Sequence, residues 1–504
     1  MIDQRRAIIL SGIILLTFSI ASAQSYVESA LVFARTRVGG SARIQAMGGS
    51  QVALGGDYSS AFSNPAGLGM FNKSEFTITP AFSTYSTSAS YFGNADDATK
   101  SKINIPGLSA VFHMPLDKSG FVSGSFAISM NRNNDFNRST VYHGTNQQTS
   151  IIDSFIDNAF GSTTSQFDPG QFNYNTPTGL AYNNYLIGPL SITDSSKPDD
   201  EYFTDVKGIP NQQEDIQTTG SSNQWNFAYG INFKDLLFFG AGIGVTSLKF
   251  KSQKLYSESF DKDDVFSDLQ LGESLSIKGN GINATLGAIV RPISFLQVGL
   301  SFTTPTYYQF TETYNADLST NWKSFDYYGD GSKILNNIKT NTDLVTSDYS
   351  LTTPMKLSTG VAFLSKYGII TGDIEYMNPA KAKYSSNTQG VSFKEDNDGI
   401  KAAYKSTVNY RVGGEFRYKI LRVRAGYAMQ ASTYATSFGL NNNIKSISGG
   451  VGIRLKKFYS DFALISSTGN NFYQPYSFFD GKGNPQVDLN NKTVTGMLTF
   501  GFNF

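Results

Sequence analysis

The sequence lacks cysteine altogether and contains only two histidines, His113 and His143. Without cysteine the protein has no disulfide bond, no thiolate nucleophile and no cysteine-ligated metal site. An excess of either charge is also missing, because 41 Lys and Arg residues balance 40 Asp and Glu residues. Nucleic-acid binding needs a basic surface that neutralises phosphates. The composition therefore excludes thiol chemistry and predicts no nucleic-acid partner.

Motifs that carry enzyme chemistry are missing too. The sequence has no His-Glu-x-x-His zinc helix, no Gly-x-Ser-x-Gly elbow and no Gly-x-x-x-x-Gly-Lys-Ser/Thr phosphate loop. A hydrolase built into a barrel wall would need a serine that meets one of the two histidines. The acidic runs 261–264 and 395–399 lack the ligand spacing of an EF-hand and indicate solvated loops. We expect no catalytic residue, no metal and no cofactor.

Long apolar runs are almost absent. The one such run follows Arg5-Arg6, extends from Ala7 to Ile20 and ends in Ala21-Ser22-Ala23. This order of charge, apolar run and small residues is typical of a secretory signal peptide, so we predict cleavage after residues 1–23 and a mature chain that begins at Gln24. Since no later run approaches the roughly 20 apolar residues of a membrane helix, a membrane role would depend on strands.

Two neighbouring segments alternate apolar with charged side chains, from Val408 to Ile420 and from Leu421 to Met429. The last segment, 493–504, alternates apolar with polar residues and ends at Phe504. The polar positions of the first two segments include Asn409, Arg411, Glu415, Arg417, Arg422 and Arg424. A soluble core buries such charges only when they are paired, whereas a membrane barrel has a polar lumen and an apolar outer face. The pattern predicts strands whose charges face a lumen.

The same alternation recurs along residues 74–504 and predicts about 14 strands. We place them near 74–92, 107–116, 120–131, 222–234, 236–252, 274–291, 294–312, 353–366, 368–378, 405–419, 421–434, 443–457, 459–467 and 492–504. Tight turns alternate with long polar segments, which cover about 132–221, 313–352, 379–404 and 468–491. Short periplasmic turns and long extracellular loops are typical of outer-membrane barrels. We predict an all-β fold, a transmembrane antiparallel β-barrel in the outer membrane of a Gram-negative bacterium, with both chain ends on the periplasmic side.

One loop segment has helical spacing. Between Ser150 and Gly161, apolar residues gather on one side of a helix, among them Phe155 and Phe160. Such a helix either packs over the barrel mouth or exposes an apolar groove that captures a hydrophobic ligand. Phe155 and Phe160 are therefore candidate ligand-binding residues.

Residues 24–73, between the signal peptide and the first strand, are too polar and too rich in glycine to form a strand. Phe62, Leu68, Met70 and Phe71 nevertheless indicate a segment that packs. We expect it to form an ordered N-terminal hatch that plugs the lumen.

The segment Asn64-Pro65-Ala66-Gly67, preceded by Gly48-Gly49, resembles the hatch motif of the FadL/TodX outer-membrane transport family. Segments further along match hairpins of that family in order and spacing: 281–302, 353–376, Asn409 to Gly413 and Arg424 to Tyr427. The resemblance implies a monomeric 14-stranded barrel that interacts with outer-membrane lipid and carries hydrophobic small molecules, such as long-chain fatty acids or aromatic hydrocarbons. It also implies passive transport with hatch rearrangement and sideways release through a strand kink.

Other readings remain open at this point. Some members of the family are labelled hemin receptors, but an axial haem ligand would have to be His113 or His143, and a lone histidine is more often structural. The long polar loops also suit a barrel that acts as a secretion or surface-attachment partner for exported proteins. A general diffusion porin is disfavoured, because a plug would fill its channel.

If the ligand carries a carboxylate, a guanidinium in the lumen is its natural bidentate partner. Four arginines, Arg411, Arg417, Arg422 and Arg424, are the candidate ligand-binding residues of this kind. Alternatively, these arginines pair with Glu415, Asp373 and Glu375 across neighbouring strands and stiffen the barrel.

Overall fold

A computed structural model describes residues 26–37, 39–190, 201–263, 265–435, 442–479 and 481–504. The predicted signal peptide lies outside the described residues. Within these ranges, no helix has both the length and the apolar character needed to cross a membrane.

The fold is a closed antiparallel barrel of 14 strands. In chain order the barrel strands are β1 Glu75–Tyr91, β2 Asn94–Lys118, β3 Phe121–Asp135, β4 Asn211–Phe233, β5 Leu237–Ser259, β6 Phe266–Ile293, β7 Leu296–Thr303, β8 Lys356–Ser365, β9 Gly368–Met377, β10 Thr407–Tyr418, β11 Leu421–Gln430, β12 Ile444–Arg454, β13 Phe458–Tyr473 and β14 Val487–Asn503. Each strand pairs with its neighbours in the chain, and β14 closes on β1 from Glu75↔Asn503 to Ser90↔Asp488. Closure leaves the barrel with no unpaired edge. The predicted fold class is confirmed.

Strand boundaries differ from the prediction where a strand rises beyond the membrane. Strand β2 begins at Asn94 rather than at 107, and β4 begins at Asn211 rather than at 222. The additional residues are mostly polar on both faces, because neither face there contacts lipid. The alternation of apolar and polar residues is therefore absent from these parts. The same alternation predicts the membrane-spanning parts of β2 and β4 and does not detect the parts beyond the membrane.

The predicted strand at 294–312 is interrupted. It consists of β7 and a second strand, Tyr307–Asp326, with Thr304-Pro305-Thr306 between them. Proline has no amide hydrogen for the ladder, which explains the break. The region 313–352, predicted as a polar loop, instead continues the wall upward as strands. The strands outside the barrel ring are Arg138–Thr145, Gly188–Pro189, Tyr202–Phe203, Tyr307–Asp326, Ile334–Asn341, Val345–Thr352 and Lys383–Ser385.

The outer face carries a belt of apolar side chains. On β5, Phe239, Ile243 and Val245 are 52, 53 and 45% exposed, whereas Lys249 and Lys251 occupy the outward positions further up the strand. Aromatic residues mark both limits of the belt: Trp225, Tyr307, Tyr376 and Tyr410 on one side, and Phe121, Phe295, Tyr367, Tyr418 and Phe504 on the other. A waist of exposed apolar residues between aromatic girdles is the surface of a membrane-spanning barrel.

In the part of the chain that the structure describes, six helices accompany the barrel, together with four short 3-10 helices. The helices are α1 Tyr26–Ala34, α2 Ala42–Ala46, α3 Ser60–Ser63, α4 Ile151–Ala159, α5 Pro177–Asn183 and α6 Lys394–Ala403, and the 3-10 helices are Pro65–Met70, Thr164–Phe167, Asn173–Asn175 and Pro379–Lys381. Helix α4 is the helix predicted between Ser150 and Gly161, and Ser150 and Asp153 form a capping box at its start.

The largest apolar cluster fills the end of the barrel that bears the long loops, here called the loop end. Helices α1, α4 and α5 contribute to it, and so do inward residues of β5, β6 and the strand Tyr307–Asp326. Tyr26 of α1 lies edge-on to Tyr349 and Phe393, with ring centroids 5.4 and 5.1 Å away. The first described residue therefore lies at the loop end, whereas β1 begins and β14 ends at the opposite end, here called the turn end. The prediction that both chain ends lie on the side of the tight turns describes the two ends of the strand array but not the first described residue, because the chain before β1 runs through the lumen.

Candidate functional site

Residues 26–73, here called the inner segment, run through the lumen from the loop end to the turn end. Helix α1 lies in the apolar cluster, and α2, α3 and the 3-10 helix Pro65–Met70 follow further down. The segment ends at the first barrel strand, where the Ser74 carbonyl accepts a hydrogen bond from the amide of Phe504 at 3.0 Å. The interior of the barrel is thus occupied by its own chain.

Glycines in the wall bring the backbone of the inner segment into direct contact with the strands. A Cβ atom on Gly413 or Gly426 would overlap the backbone of Met47 or Gly48. Gly48 itself has φ +69°, which favours glycine. These two strand glycines therefore allow a close approach that any larger residue would prevent.

The Asn64-Pro65-Ala66-Gly67 motif joins two turns of the inner segment. The side-chain amide of Asn64 donates to the Val52 carbonyl at 2.7 Å, and its oxygen accepts from the Ala66 amide at 3.2 Å. The same amide lies 3.3 Å from the Leu300 carbonyl of β7. Pro65 occupies the first position of the following 3-10 helix, where a missing amide hydrogen costs nothing. The motif caps that helix and attaches it to the wall.

A buried ion network holds α2 against strands β10 to β13. Arg43 of α2 lies 3.5 Å from Glu415 (Nε to Oε2). Arg424 bridges Glu415 and Asp461 at 2.7 and 2.8 Å, and Arg454 lies 2.8 Å from Asp461. Charged groups removed from water are stable only when each has partners, and here they have them.

The candidate arginines of the lumen all have partners within the described chain. Arg411 lies 2.9 Å from Glu375, Arg417 lies 2.8 Å from Glu415, and Arg424 bridges two carboxylates. Arg422 donates to the carbonyls of Lys419 and Leu421 at the turn end. Ligand binding by these four residues stays a prediction. Pairing across neighbouring strands, which we considered as the alternative, describes Arg411 and Arg424, whereas Arg417 pairs with a carboxylate of its own strand.

The main cavity, about 550 Å³ in volume, lies between the inner segment and the wall. One side is apolar, with Leu31, Phe136, Ile216 and Phe250 among its residues. The facing strands β12, β13 and β14 contribute hydroxyl and amide groups. These polar residues include Ser446, Ser467, Asn491, Thr493 and Thr495. The cavity is therefore amphipathic across its width.

A smaller cavity of about 110 Å³ lies on the other side of the inner segment, next to β6, β7 and β8. Arg37, Gly39, Asn133 and Arg411 line both cavities. Arg37 and Gly39 therefore lie between the two spaces.

Helix α4 buries one candidate ligand-binding phenylalanine and exposes the other. Phe155 packs inside the apolar cluster, whereas Phe160 is 67% exposed. Next to it, the amide of Phe479 donates to Asp157 at 2.7 Å, and the Phe479 ring is also exposed. One face of the helix thus packs over the barrel, whereas the capture of a hydrophobic ligand by Phe155 and Phe160 stays a prediction.

Each of the two histidine rings lies beside a polar side chain. His113 Nδ1 lies 3.5 Å from Ser125 Oγ, and His143 Nδ1 lies 2.7 Å from Asp96 Oδ2 at the exposed rim. Among the residues that the structure describes, no group of three His, Asp or Glu side chains could bind a metal ion.

Sequence reasoning missed several cations that line the main cavity, among them Arg35, Arg37 and Arg138. Arg35 and Arg37 follow α1, and Arg138 begins a short strand above the barrel ring. None of them belongs to a segment with apolar alternation, so periodicity had no means of assigning them to the lumen.

Comparison with solved structures shows the fold. The crystal structure of a FadL homologue from Pseudomonas aeruginosa is 11% identical, with 94% of this chain and all of that chain covered, at a TM-score of 0.57. The toluene transporters TodX from Pseudomonas putida and TbuX from Ralstonia pickettii are 12 and 14% identical, cover 92% of this chain and 98% of their own, and have TM-scores of 0.49 and 0.48. No family model and no curated protein matches the chain. The chain has the FadL-type fold, as the resemblance implied.

Proposed function

We propose that the protein is a passive transporter of hydrophobic small molecules in the outer membrane, and that the inner segment is its hatch. The observation that carries the proposal is the amphipathic cavity between the inner segment and the barrel wall. A diffusion porin has an open aqueous channel, whereas the inner segment occupies this lumen down to the turn end. A cavity with an apolar side suits a hydrophobic ligand that is bound and then passed on.

The route begins at the exposed rings of Phe160 and Phe479 beside α4, which collect ligand from outside. The ligand then enters the main cavity, beneath the apolar cluster of the loop end. Strand β3 has a register irregularity between Arg132 and Asn134 at this level, and Asn133 lines both cavities. Bulges re-aim strands and interrupt pairing, which favours this part of the wall as the sideways exit.

The stretch with Arg37 and Gly39 is the part of the hatch best suited to move. The chain below it is fixed by the network around Glu415 and by Asp373, which accepts from the amides of Gln51 and Val52 at 2.6 and 3.0 Å. Above it, Asn134 Nδ2 donates to the Arg35 carbonyl at 2.6 Å and the Asn133 carbonyl accepts from the Arg37 amide at 2.9 Å. The Lys356 ammonium group also donates to Thr36 Oγ1, and Arg35 donates to the Ala431 carbonyl. These exchangeable hydrogen bonds are weaker than a buried ion network.

A disulfide staple tests the hatch. The native chain has no cysteine, so Gly39→Cys with Asn131→Cys introduces one defined pair at the stretch proposed to move, where a Cβ atom on Gly39 would contact the Asn131 side chain of the wall. Oxidation should stop the uptake of a hydrophobic fluorescent probe into proteoliposomes, and reduction should restore it. The matched control is Thr84→Cys with Ser101→Cys, two exposed residues of β1 and β2 with hydroxyls 3.1 Å apart.

Full uptake through the oxidised Gly39–Asn131 staple would refute a moving hatch. Mass spectrometry of apolar extracts from the gently solubilised protein then identifies the ligand, with an unrelated barrel as the control. An empty barrel that purifies with a stoichiometric protein partner would instead favour the secretion or surface-attachment role.

A further inference from the structure

Three guanidinium groups face the main cavity without a carboxylate partner. Arg35 donates to the Ala431 carbonyl at 3.3 Å, and Arg138 donates to Thr87 Oγ1 at 3.1 Å and to Asn491 Oδ1. The Arg37 side chain is exposed to the lumen, and only its backbone amide is hydrogen-bonded, to Asn133. Over the ranges that the structure describes, none of the three forms an ion pair.

The three groups also repel one another. Burial and the neighbouring Arg37 lower the pKa of Arg138 to about 10, so Arg138 remains charged at neutral pH. Arg35 experiences the charge of Arg37 as well. Like charges held together in a partly buried space destabilise a protein unless an anion joins them. The arrangement is therefore one that a bound anion would stabilise.

The acidic groups of the same cavity are already engaged. Asp135 lies 3.0 Å from Arg132 (Oδ2 to Nη1) and accepts from the Asn137 amide at 3.1 Å. Glu28 faces Lys254, whose ammonium group also donates to Tyr473 at 3.0 Å. The positive charge of Arg35, Arg37 and Arg138 thus has no counterpart among these side chains.

The rest of the cavity has the complementary chemistry. Phe136 and Phe250 pack edge to face, with ring centroids 5.4 Å apart, and line the apolar side together with Leu31. An alkyl chain buried there is removed from water, which favours binding in proportion to the apolar area that it buries. The guanidinium groups and the hydroxyl and amide groups of β12 to β14 would then surround the polar end of the same molecule.

We infer that the main cavity binds an amphiphile whose head group carries two negative charges, of the monoalkyl phosphate kind, with the head between Arg37 and Arg138 and the chain over Phe136 and Phe250. The planar guanidinium fork binds phosphate oxygens in pairs. Three unneutralised cations match a dianion better than a single carboxylate. This inference rests on the proposed transport function and names its ligand class.

Three probes of equal chain length distinguish the contribution of the head group to binding from that of the alkyl chain: dodecyl phosphate, dodecanoate and dodecanol. Their affinities for the full-length protein in an uncharged detergent are measured by isothermal titration calorimetry at pH 8. We expect dodecyl phosphate to bind about tenfold more tightly than dodecanoate, and dodecanoate more tightly than dodecanol, since each charge-assisted hydrogen bond contributes about 1.5–3 kcal/mol.

Arg37→Gln and Arg138→Gln should each weaken phosphate binding about tenfold and leave dodecanol unchanged. Lys339→Gln removes an exposed cation on the outer hairpin, paired with Asp317, and serves as the control for net charge. Equal affinity for the phosphate and the carboxylate, or no effect of either arginine variant, would overturn the head-group inference while transport of hydrophobic molecules stands. Failure of all three probes to bind would overturn both.

Discussion

Arg43 of the inner segment and Glu415 of strand β10 lie 3.5 Å apart (Nε to Oε2), which joins the proposed hatch to the wall through buried opposite charges. Arg43→Gln should weaken the docking of the hatch by about 2 kcal/mol, because the buried carboxylate of Glu415 loses one of its cationic partners. Glu415 keeps Arg417 and Arg424 as partners, so the barrel should still assemble. We expect more frequent channel openings in planar bilayers.

Arg454→Gln is the matched control for that variant. Arg454 pairs with Asp461 in the same network but contacts the wall rather than the hatch. Equal channel activity in the two variants would show that the network acts on the wall alone. Retention of the heat-modifiable band in gel electrophoresis checks that both barrels are intact.

Asn64→Ala should loosen the lower half of the hatch by about 1–2 kcal/mol, because the variant loses a helix cap and the bond to the Val52 carbonyl. Hydrogen–deuterium exchange of residues 50–70 should increase. Pro65→Ala should alter uptake or conductance with a smaller effect on exchange, since Pro65 only presets the first helical position. Failure of Asn64→Ala to assemble would show that the motif is needed to build the barrel.

Gly426→Val should prevent the hatch from docking, because its side chain would overlap the backbone of Met47 and Gly48. Limited proteolysis should then cut within residues 40–50 in a folded barrel. Gly496→Val is the control: the nearest atom to its Cβ is 4.0 Å away, in Phe462. Protection of the hatch in Gly426→Val would contradict the close packing described above.

Glu312 ties α1 to the loop end, since the hydroxyls of Tyr349 and Tyr26 donate to its carboxyl group at 2.7 and 3.4 Å. Burial raises the pKa of Glu312 above 4.5. The folded protein therefore favours the protonated carboxyl group of Glu312. The stability that this preference contributes is present below pH 4.5 and is lost as the pH rises through the raised pKa. Exchange of the α1 amides, corrected for the intrinsic rate, should increase over that range.

Glu312→Gln keeps an acceptor oxygen and cannot titrate, so the pH dependence of α1 exchange should flatten. A profile unchanged from that of the wild type would assign the effect to another group. Glu214, whose pKa burial also raises, is the next residue to substitute.

The alternation of apolar and polar residues along the chain was enough to determine the class of the fold. Residues on β10 and β11 face lipid or lumen as their alternation predicts: Val412, Phe416 and Val423 are exposed, and Arg411 and Glu415 are buried. This works because a strand has a period of two residues and the two sides of a membrane barrel have opposite polarity. The 14 strands and the tight turns follow from the same rule.

The sequence by itself thus determined the barrel, the belt and the helical character of α4, since each depends on neighbours along the chain. Only the tertiary structure decided which charges are paired. It places Arg411, Arg417 and Arg424 beside carboxylates of the lumen, and it brings Arg35, Arg37 and Arg138 together from two distant segments. Those contacts depend on how the inner segment lies inside the barrel. Arg37 and Arg138 lie about 100 positions apart in the chain and influence each other's charge in the lumen. Such proximity leaves no periodic trace in a sequence, because no local energetic preference specifies it.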